Sequence, residues 1–363
     1  MKTVFAGRYN KSEILNGPEK AAKRIFHEYS KIGECAFIEY FFDGNKYSIF
    51  KKLFGFEVAA TKTNSEILRL GIFRFLIYLL KQRPVNIHIV TFERFILTAF
   101  FYKLFFNVNI IYNVHGIITF EDKLNNKAGF VLKAKNKLCE KIFMTKSDYL
   151  VFLSERSINK AKEYYKLDSN KIVIIPNGID ECFLNPVCQK IINYSDKLKI
   201  VFQGNLKRKE KGLTFLLQSL AESEINAELY VISDNIDFDT VRIDNLKIFP
   251  VKKMTTDELT EFYKDKDIFV CASFYEQFSI AAAEAVAAGL TALISEESGI
   301  SEYITNGENG FLFKYGDKFK IKEILSVLNS DRQILKYIRD NSVSFSSRFT
   351  WDSVFNKYHD LYA

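Results

Sequence analysis

Residues 266–310 read KDIFVCASFYEQFSIAAAEAVAAGLTALISEESGISEYITNGENG, and this stretch indicates the class of the fold. Asp267–Ser273 is a short apolar run rich in β-branched and aromatic residues, which indicates a buried strand. Ser279 can cap a helix that continues through the alanine-rich run until Gly289 ends it. Thr291–Ile294 then returns as a second strand. This order predicts a βαβ unit of a parallel sheet, and ligands bind such sheets beyond the carboxyl ends of the strands.

Two glutamates flank the start of the predicted helix. Glu276 lies in the loop before it and Glu284 lies inside it, so the two are about 7–8 Å apart along the helix axis. The free N–H groups and positive dipole of a helix N-terminus suit a phosphate, and carboxylates accept hydrogen bonds from sugar hydroxyls. This pattern predicts a nucleotide-sugar site, although two glutamates at this spacing are also common as solvated helix charges.

Two stretches carry a resemblance to a known family. Residues 273–289 (SFYEQFSIAAAEAVAAG) resemble the donor-site motif of the family-four retaining glycosyltransferases, in which two glutamates enclose seven residues, and residues 302–310 resemble the segment that follows it. Residues 172–183 (IVIIPNGIDECF) resemble the family's signature at the end of its first domain. The resemblance implies the GT-B fold, with two Rossmann-like domains facing across a cleft and a C-terminal helix, here within 349–362, that crosses back to the first domain.

The length of 363 residues and the hydrophobic content of 48% favour two domains. We predict a first domain at 1–184, a linker at 185–197, a second domain at 198–345 and a returning helix at 346–363. Strands alternate with helical patterns, which predicts doubly wound parallel sheets. The predicted strands, besides those above, are Val4–Gly7, Cys35–Tyr40, Asn86–Val90, Asn109–Asn113, Tyr149–Leu153, Leu198–Gln203, Glu228–Ile232 and Leu246–Val251.

Two residues of the first domain are candidates for the site. Gly17 precedes a proline at a helix start, where a glycine lets the backbone approach a ligand closely, although an ordinary turn is the better explanation from these residues alone. His115 follows a predicted strand, and a histidine there can reach a ligand or be structural. The resembled family has a glycine-containing loop and a histidine at these places, the histidine beside the donor sugar.

The loop 204–212, GNLKRKEKG, is bounded by glycines and carries clustered cations before a helix. Such cations suit a diphosphate, although a solvated charge run has the same appearance. The resemblance implies that Arg208 and Lys211 hold the donor diphosphate, that Glu284 binds the ribose and that Glu276 and His115 contact the sugar. The predicted catalytic residues are therefore Glu276, His115, Arg208 and Lys211. The predicted donor-binding residues are Gly17, Gly204, Arg208, Lys211, Val251, Ser279, Ile280, Ala281 and Glu284.

No metal and no cofactor are expected, because fixed cations and helix amides can stabilise a departing diphosphate. Asp237 and Asp239 form a D-x-D pair, which would serve a metal-dependent transferase, but it reads better as a solvated loop. The five cysteines show no C-x-x-C pair and no zinc-ligand spacing, which favours a reducing cytoplasm without disulfides. The chain is not expected to cross a membrane, since no apolar stretch reaches the roughly 18 residues required.

The net charge of +7 is compatible with nucleic acid, anionic lipid or a polyanionic substrate. Nucleic acid is not expected as a partner, because no motif that reads it is present. Residues 68–83, 95–106 and 123–146 of the first domain mix apolar with basic side chains. Each could form a helix that buries its apolar face and leaves its basic side-chain ends exposed, but together these helices also suit adsorption to an anionic leaflet.

The sequence therefore predicts a retaining glycosyltransferase that moves a sugar from a nucleotide-sugar to a glycan or lipid-linked glycan acceptor. A UDP-sugar is the expected donor. Its predicted place is the cytoplasm, peripheral on the inner face of the cell membrane, in bacterial surface polysaccharide or lipopolysaccharide assembly. A non-enzymatic alternative is a nucleotide-sugar-binding or scaffold subunit of a polysaccharide assembly complex, because the family's loop glycines are partly replaced here by Gln277 and Ser279.

Overall fold

The computed structural model describes residues 2–9, 12, 14–41, 47–62, 64–125, 129–184, 197–234 and 243–362. The chain divides into two compact units. The first unit comprises Met1–Ile175 together with Phe355–Ala363, and the second comprises Pro176–Val354. Both are α/β units built on parallel sheets, as the sequence predicted.

The described part of the first unit holds an eight-stranded sheet with the order β3-β4-β2-β1-β5-β6-β7-β8. Neighbouring strands are parallel except β3 and β4, which are antiparallel. The strands are β1 Thr3–Ala6, β2 Cys35–Glu39, β3 Phe56–Lys62, β4 Ser65–Leu70, β5 Asn86–Ile89, β6 Asn109–Asn113, β7 Tyr149–Phe152 and β8 Ile172–Ile174. The helices are α1 Gly17–Ser30, α2 Ile49–Phe54, α3 Ile72–Gln82, α4 Leu97–Lys103, α5 Ile118–Asn125, α6 Phe130–Lys146 and α7 Glu155–Lys162.

The hairpin of β3 and β4 was not predicted, and the helical pattern predicted from residue 68 was wrong at its start. Leu68–Leu70 belongs to β4, and α3 begins at Ile72. The reason is Gly71, whose N–H donates to the carbonyl of Gly55 at 2.9 Å. A Cβ at Gly71 would lie 2.6 Å from the backbone of Leu53, so only glycine admits this close turn between strand and helix.

The second unit holds a six-stranded sheet, in the described residues, with the order β11-β10-β9-β12-β13-β14 and parallel neighbours throughout. This is the dinucleotide-binding order, and its direction reverses between β9 and β12. The strands are β9 Leu198–Gln203, β10 Ala227–Ser233, β11 Leu246–Lys252, β12 Ile268–Cys271, β13 Thr291–Ser295 and β14 Phe311–Phe313. The helices are α8 Leu213–Ser223, α9 Thr256–Tyr263, α10 Ile280–Ala287, α11 Lys318–Ser330 and α12 Gln333–Ser347. A last helix, α13 Trp351–His359, begins in the second unit and ends in the first.

The chain passes into the second unit after Ile175, nine residues before the predicted boundary at 184. The intervening residues pack within the second unit: the Ile179 N–H donates to the carbonyl of Phe349 at 2.8 Å, and Phe183 contacts the ring of Tyr263. Most of the predicted linker, 185–196, lies outside the described residues. Its boundaries stay a prediction.

Phe355–Ala363, the later part of the predicted returning helix at 346–363, belongs to the first unit. Buried His88 of β5 bonds the Tyr362 hydroxyl through Nδ1 at 2.7 Å and Asn113 Oδ1 through Nε2 at 2.9 Å. Asn113 in turn donates to the Tyr358 hydroxyl at 2.8 Å. Because each of these buried polar groups has a partner, the last residues are anchored to β5 and β6 at little desolvation cost.

Candidate active site

Two loops meet at the point where the order of the second sheet reverses. Residues 204–212 follow β9 and residues 272–279 follow β12, so both leave the carboxyl ends of neighbouring strands. The N–H of Phe274 donates to the carbonyl of Glu210 at 3.0 Å and ties the loops together. Gly212 has φ of +76°, and a Cβ there would lie 1.9 Å from the carbonyl oxygen of Ala272. Only glycine therefore allows this contact.

Gly212→Ala should lower the free energy of unfolding of the second unit by about 2–3 kcal/mol, because left-handed strain adds to a backbone clash. Gly307→Ala is the matched control: Gly307 has φ of +80°, but a Cβ there meets nothing within 4 Å. The control should lose only about 1 kcal/mol. Urea unfolding followed by the fluorescence of Trp351, the single tryptophan, measures both. Equal losses in the two variants would show that the two loops do not need this close approach.

The structure brings predicted residues of the two loops into direct contact. Lys211 Nζ forms an ion pair with Glu276 Oε2, and both side chains are partly buried. The stem of Lys211 lies over Gly204, where a Cβ would be 3.3 Å from Lys211 Cγ. The sequence predicts a diphosphate contact for Lys211 and a sugar contact for Glu276. It does not predict that the two side chains pair with each other.

Arg208 is held within its own loop. Its Nε donates to Oε1 of Glu210 at 2.5 Å, and the Glu210 side chain is fully buried. A buried carboxylate is costly unless it is paired, so this bond fixes the guanidinium as well as the loop. Glu210 is not among the site residues predicted from the sequence, although it is the only acidic residue in the basic run 207–211.

The start of α10 has the predicted cap with an unpredicted backbone conformation. Ser279 Oγ accepts from the Ala282 N–H at 3.4 Å, but Ser279 has φ of +77°, where a non-glycine residue is strained by about 1–3 kcal/mol. The neighbouring segment imposes this conformation, since Gly299 and Ile300 donate to the carbonyls of Glu276 and Phe278, each at 2.9 Å. Ile280 and Ala281 are half-buried in the first turn, whose N–H groups have no intrahelical acceptors. This terminus can bind an anion.

Glu284 is buried on α10 beside Tyr263. Burial, and secondly the charge of Glu284, raise the pKa of the Tyr263 hydroxyl well above its ordinary value. That hydroxyl donates to Oε1 of Gln203, the last residue of β9, at 3.2 Å. Val251 is half-buried near the carboxyl end of β11, on the same edge of the sheet.

Gly17 and His115 belong to the first unit, whereas the other predicted site residues belong to the second. Gly17 is the first residue of α1, and the side chain of Asn16 caps that helix by accepting from the Glu19 N–H at 3.0 Å. His115 follows β6. Burial lowers its pKa to about 4, and its buried Nε2 has no hydrogen-bond partner among the described residues. Asp237 and Asp239 lie outside the described residues.

Two family models match consecutive parts of the chain. Residues 56–182 match Glycosyltransferase Family 4, and residues 188–343 match Glycosyl transferases group 1. The chain belongs to glycosyltransferase family four. The second match contains both loops at the reversal point and α10. The predicted family membership is thus confirmed.

Several relatives match part of this family-four chain. The chain is 23% identical to the uncharacterized glycosyltransferase MJ1178 of Methanocaldococcus jannaschii, over 63% of this chain and 64% of that protein. It is 23% identical to N-acetyl-alpha-D-glucosaminyl L-malate synthase of Bacillus anthracis, over 70% and 68% of the two chains. It is 25% identical to the capsular polysaccharide biosynthesis glycosyltransferase CapM of Staphylococcus aureus, over 61% and 64%. The chain thus spans about two thirds of the length of these relatives.

Solved structures share the fold of this family-four chain over nearly its whole length. Sucrose-phosphate synthase from Thermosynechococcus elongatus has a TM-score of 0.77 at 14% identity, covering 99% and 98% of the two chains. Anabaena Alr3699/HepE in complex with UDP-glucose has a TM-score of 0.72 at 15% identity, covering 99% and 98%. WaaG, a glycosyltransferase involved in lipopolysaccharide biosynthesis, has a TM-score of 0.70 at 14% identity, covering 99% of each. The GT-B fold predicted from the sequence is confirmed.

Proposed function

We propose that the protein is a retaining glycosyltransferase that moves a sugar from a nucleotide-sugar to a glycan or lipid-linked glycan acceptor. The proposed donor is a UDP-sugar. The setting is the assembly of bacterial surface polysaccharide or lipopolysaccharide. The neighbours support this choice: HepE was solved with UDP-glucose, CapM is named for capsular polysaccharide and WaaG for lipopolysaccharide.

The observation that carries the proposal is the pairing of Lys211 with Glu276 at the reversal point of the second sheet, beside the start of α10. Open α/β sheets bind nucleotides at this point. A diphosphate would draw Lys211 away from the carboxylate and leave Glu276 free to accept a hydrogen bond from the donor sugar. We therefore assign Lys211 to the phosphate site and Glu276 to the neighbouring sugar site.

In this mechanism the developing charge on the leaving diphosphate is stabilised by fixed groups. Lys211, Arg208 and the amides at Ile280 and Ala281 supply positive charge or N–H donors without reorganising during the reaction. Glu284 binds the ribose hydroxyls. His115 contacts the donor sugar as a neutral imidazole, because its pKa of about 4 lies far below neutral pH.

A donor-hydrolysis screen over purified nucleotide-sugars, with and without a chelator, tests the function. We expect slow release of the sugar from one donor, unchanged by the chelator. Loss of activity in the chelator would contradict the metal-independent mechanism. Calorimetric binding of a nucleotide-sugar without any turnover, with or without acceptor, would instead support the scaffold subunit and overturn the enzyme.

The proposed place of action is the membrane surface, and the first unit carries the apolar side chains that suit it. Among the described residues, every exposed large apolar side chain except four lies in the first unit; those four are Tyr315, Phe319, Val327 and Tyr337. Nine of the others form what we call the outer helical surface: Phe73, Ile77 and Leu80 of α3, Phe101 of α4 with Leu104 and Phe105 directly after it, and Phe130, Val131 and Leu138 of α6. No helix within the described ranges combines the length and hydropathy needed to cross a bilayer.

Topology puts these three helices side by side. Each follows a strand and leads to a parallel strand further along the same sheet, and right-handed crossovers of this kind lie on one face. Helix α3 packs beside α4, and Phe100 of α4 contacts Phe143 of α6 with ring centroids 5.0 Å apart. Exposed cations lie on the same helices, among them Lys81, Lys135, Lys137 and Lys141. Apolar and basic side chains on one face suit an anionic leaflet.

Lys135→Glu/Lys137→Glu should reduce partition onto anionic liposomes by roughly 30-fold at low salt, since each lysine at such a surface contributes about 1 kcal/mol. The control Lys314→Glu/Lys336→Glu makes the same charge change on exposed lysines of the second unit and should have little effect. Co-sedimentation at low and high ionic strength measures both. Equal binding of the wild-type protein to anionic and neutral liposomes at low salt would refute the membrane assignment and leave a soluble acceptor.

A further inference from the structure

Glu140 of α6 is a fully buried carboxylate that none of the roles above explains. Its oxygens accept four hydrogen bonds, from the N–H groups of Ile118 at 2.6 Å and Thr119 at 2.8 Å, and from the hydroxyls of Thr119 at 2.7 Å and Tyr165 at 2.6 Å. A carboxylate inside a protein needs such compensation, because losing its hydration is costly. Four donors converge on this one side chain.

The two backbone donors belong to the first residues of α5, whose N–H groups have no acceptor inside the helix. The carbonyl of Ile117 accepts from Phe120 and Glu121, both at 2.9 Å, so the helical bonding begins there. Glu140 thus caps α5 from a neighbouring helix. It fixes where the loop before α5 ends.

That loop carries His115. The N–H of Val114 donates to the carbonyl of Val151 at 2.9 Å and attaches the beginning of the loop to β7. Between this bond and the Glu140 cap lie only His115, Gly116 and Ile117. A Cβ at Gly116 would lie 2.7 Å from the carboxylate of Glu121, so the loop also packs closely on α5. Three residues fixed at both ends have little freedom to redirect the imidazole.

We propose that Glu140 is a positioning residue that holds His115 in place for its contact with the donor sugar. The inference rests on the proposed function for the role of His115. Glutamine has nearly the same shape as glutamate but carries one amide nitrogen in place of an oxygen. In Glu140→Gln that nitrogen faces at least one N–H donor, so at least one bond to α5 is lost.

A double-mutant cycle tests whether Glu140 acts through His115. Glu140→Gln should lower kcat for donor turnover roughly 10- to 100-fold, as small displacements of a substrate-contacting group do. Nucleoside diphosphate affinity should stay unchanged, since Lys211 and Glu284 belong to the second unit. In the His115→Ala background, Glu140→Gln should have no further effect. An equal loss in both backgrounds, or none in either, would overturn the inference.

A second readout does not depend on activity, so it decides the matter even if the proposed function fails. The imidazole resonances of His115, one of four histidines, can be assigned by their loss in His115→Ala. Glu140→Gln should shift them, whereas Tyr165→Phe, which removes one donor and keeps both backbone bonds, should not. Ile118→Pro removes one backbone donor at a helix position that accepts proline, and serves if Glu140→Gln does not fold. Resonances left in place by whichever of these two variants folds would overturn the positioning role.

Discussion

Lys211→Met should lower kcat/KM for the nucleotide-sugar by about 10²- to 10³-fold, the usual loss when one fixed group that stabilises a developing charge is removed. Methionine keeps an apolar stem over Gly204 and removes only the charge. The affinity for the nucleoside diphosphate should fall about 10- to 150-fold, which corresponds to roughly 1.5–3 kcal/mol for one charged hydrogen bond. Steady-state kinetics and calorimetric titration measure the two effects.

Lys207→Met is the matched control for this prediction. Lys207 lies in the same loop and is exposed, so the variant removes the same charge from the same segment. Its effect should stay within a few fold, because exposed charges act weakly through water. If Lys207→Met and Lys211→Met lower diphosphate affinity by the same factor, the loop acts only as a diffuse positive field and Lys211 does not clamp the donor.

Glu276→Gln should separate turnover from nucleotide binding. We expect kcat to fall about 10- to 150-fold, because a charged hydrogen bond to the donor sugar is lost in the transition state. The affinity for the nucleoside diphosphate should be retained or should rise, because the variant removes the carboxylate that pairs with Lys211 in the free protein. The two partners of one ion pair thus have different effects on nucleotide binding, which a purely structural salt bridge does not produce.

Glu284→Gln completes the comparison. Its expected loss is in affinity for free nucleotide, since Glu284 is assigned to the ribose. Calorimetry measures the nucleotide affinity of both glutamate variants, and steady-state kinetics measures their turnover. A fall in nucleotide affinity for Glu276→Gln, or equal profiles for the two variants, would contradict the separate roles.

Much of the fold could be predicted from the sequence because its signals are local. The run after Lys266, with a strand, a capping serine, an alanine-rich helix and Gly289, fixes a βαβ unit within one short segment, and β12, α10 and β13 follow it closely. The hairpin of β3 and β4 could not be found in this way. Its residues continue into the apolar pattern of α3, and the break depends on the close approach of Gly71 to residues 53–55, which are distant in sequence.

In the candidate site, too, local sequence signals were predicted and contacts between distant residues were not. Lys211, Glu276 and Glu284 were found because their spacing matches a family motif, and such a motif names residues without giving their partners. The ion pair between Lys211 and Glu276 joins residues 65 positions apart. It arises only because the sheet order places the loops after β9 and β12 next to each other. Glu140 left no motif at all, since its partners lie on other elements and its importance follows from burial.

A crystal structure with the nucleoside diphosphate of the donor found in the hydrolysis screen tests whether Lys211 and the start of α10 bind the diphosphate. We expect phosphate oxygens within about 3.2 Å of Lys211 Nζ and of the amides at Ile280 or Ala281, with the ribose at Glu284 and the bond between Lys211 and Glu276 opened. A nucleotide bound away from the ends of β9 and β12, or bound with the ion pair intact, would contradict this assignment.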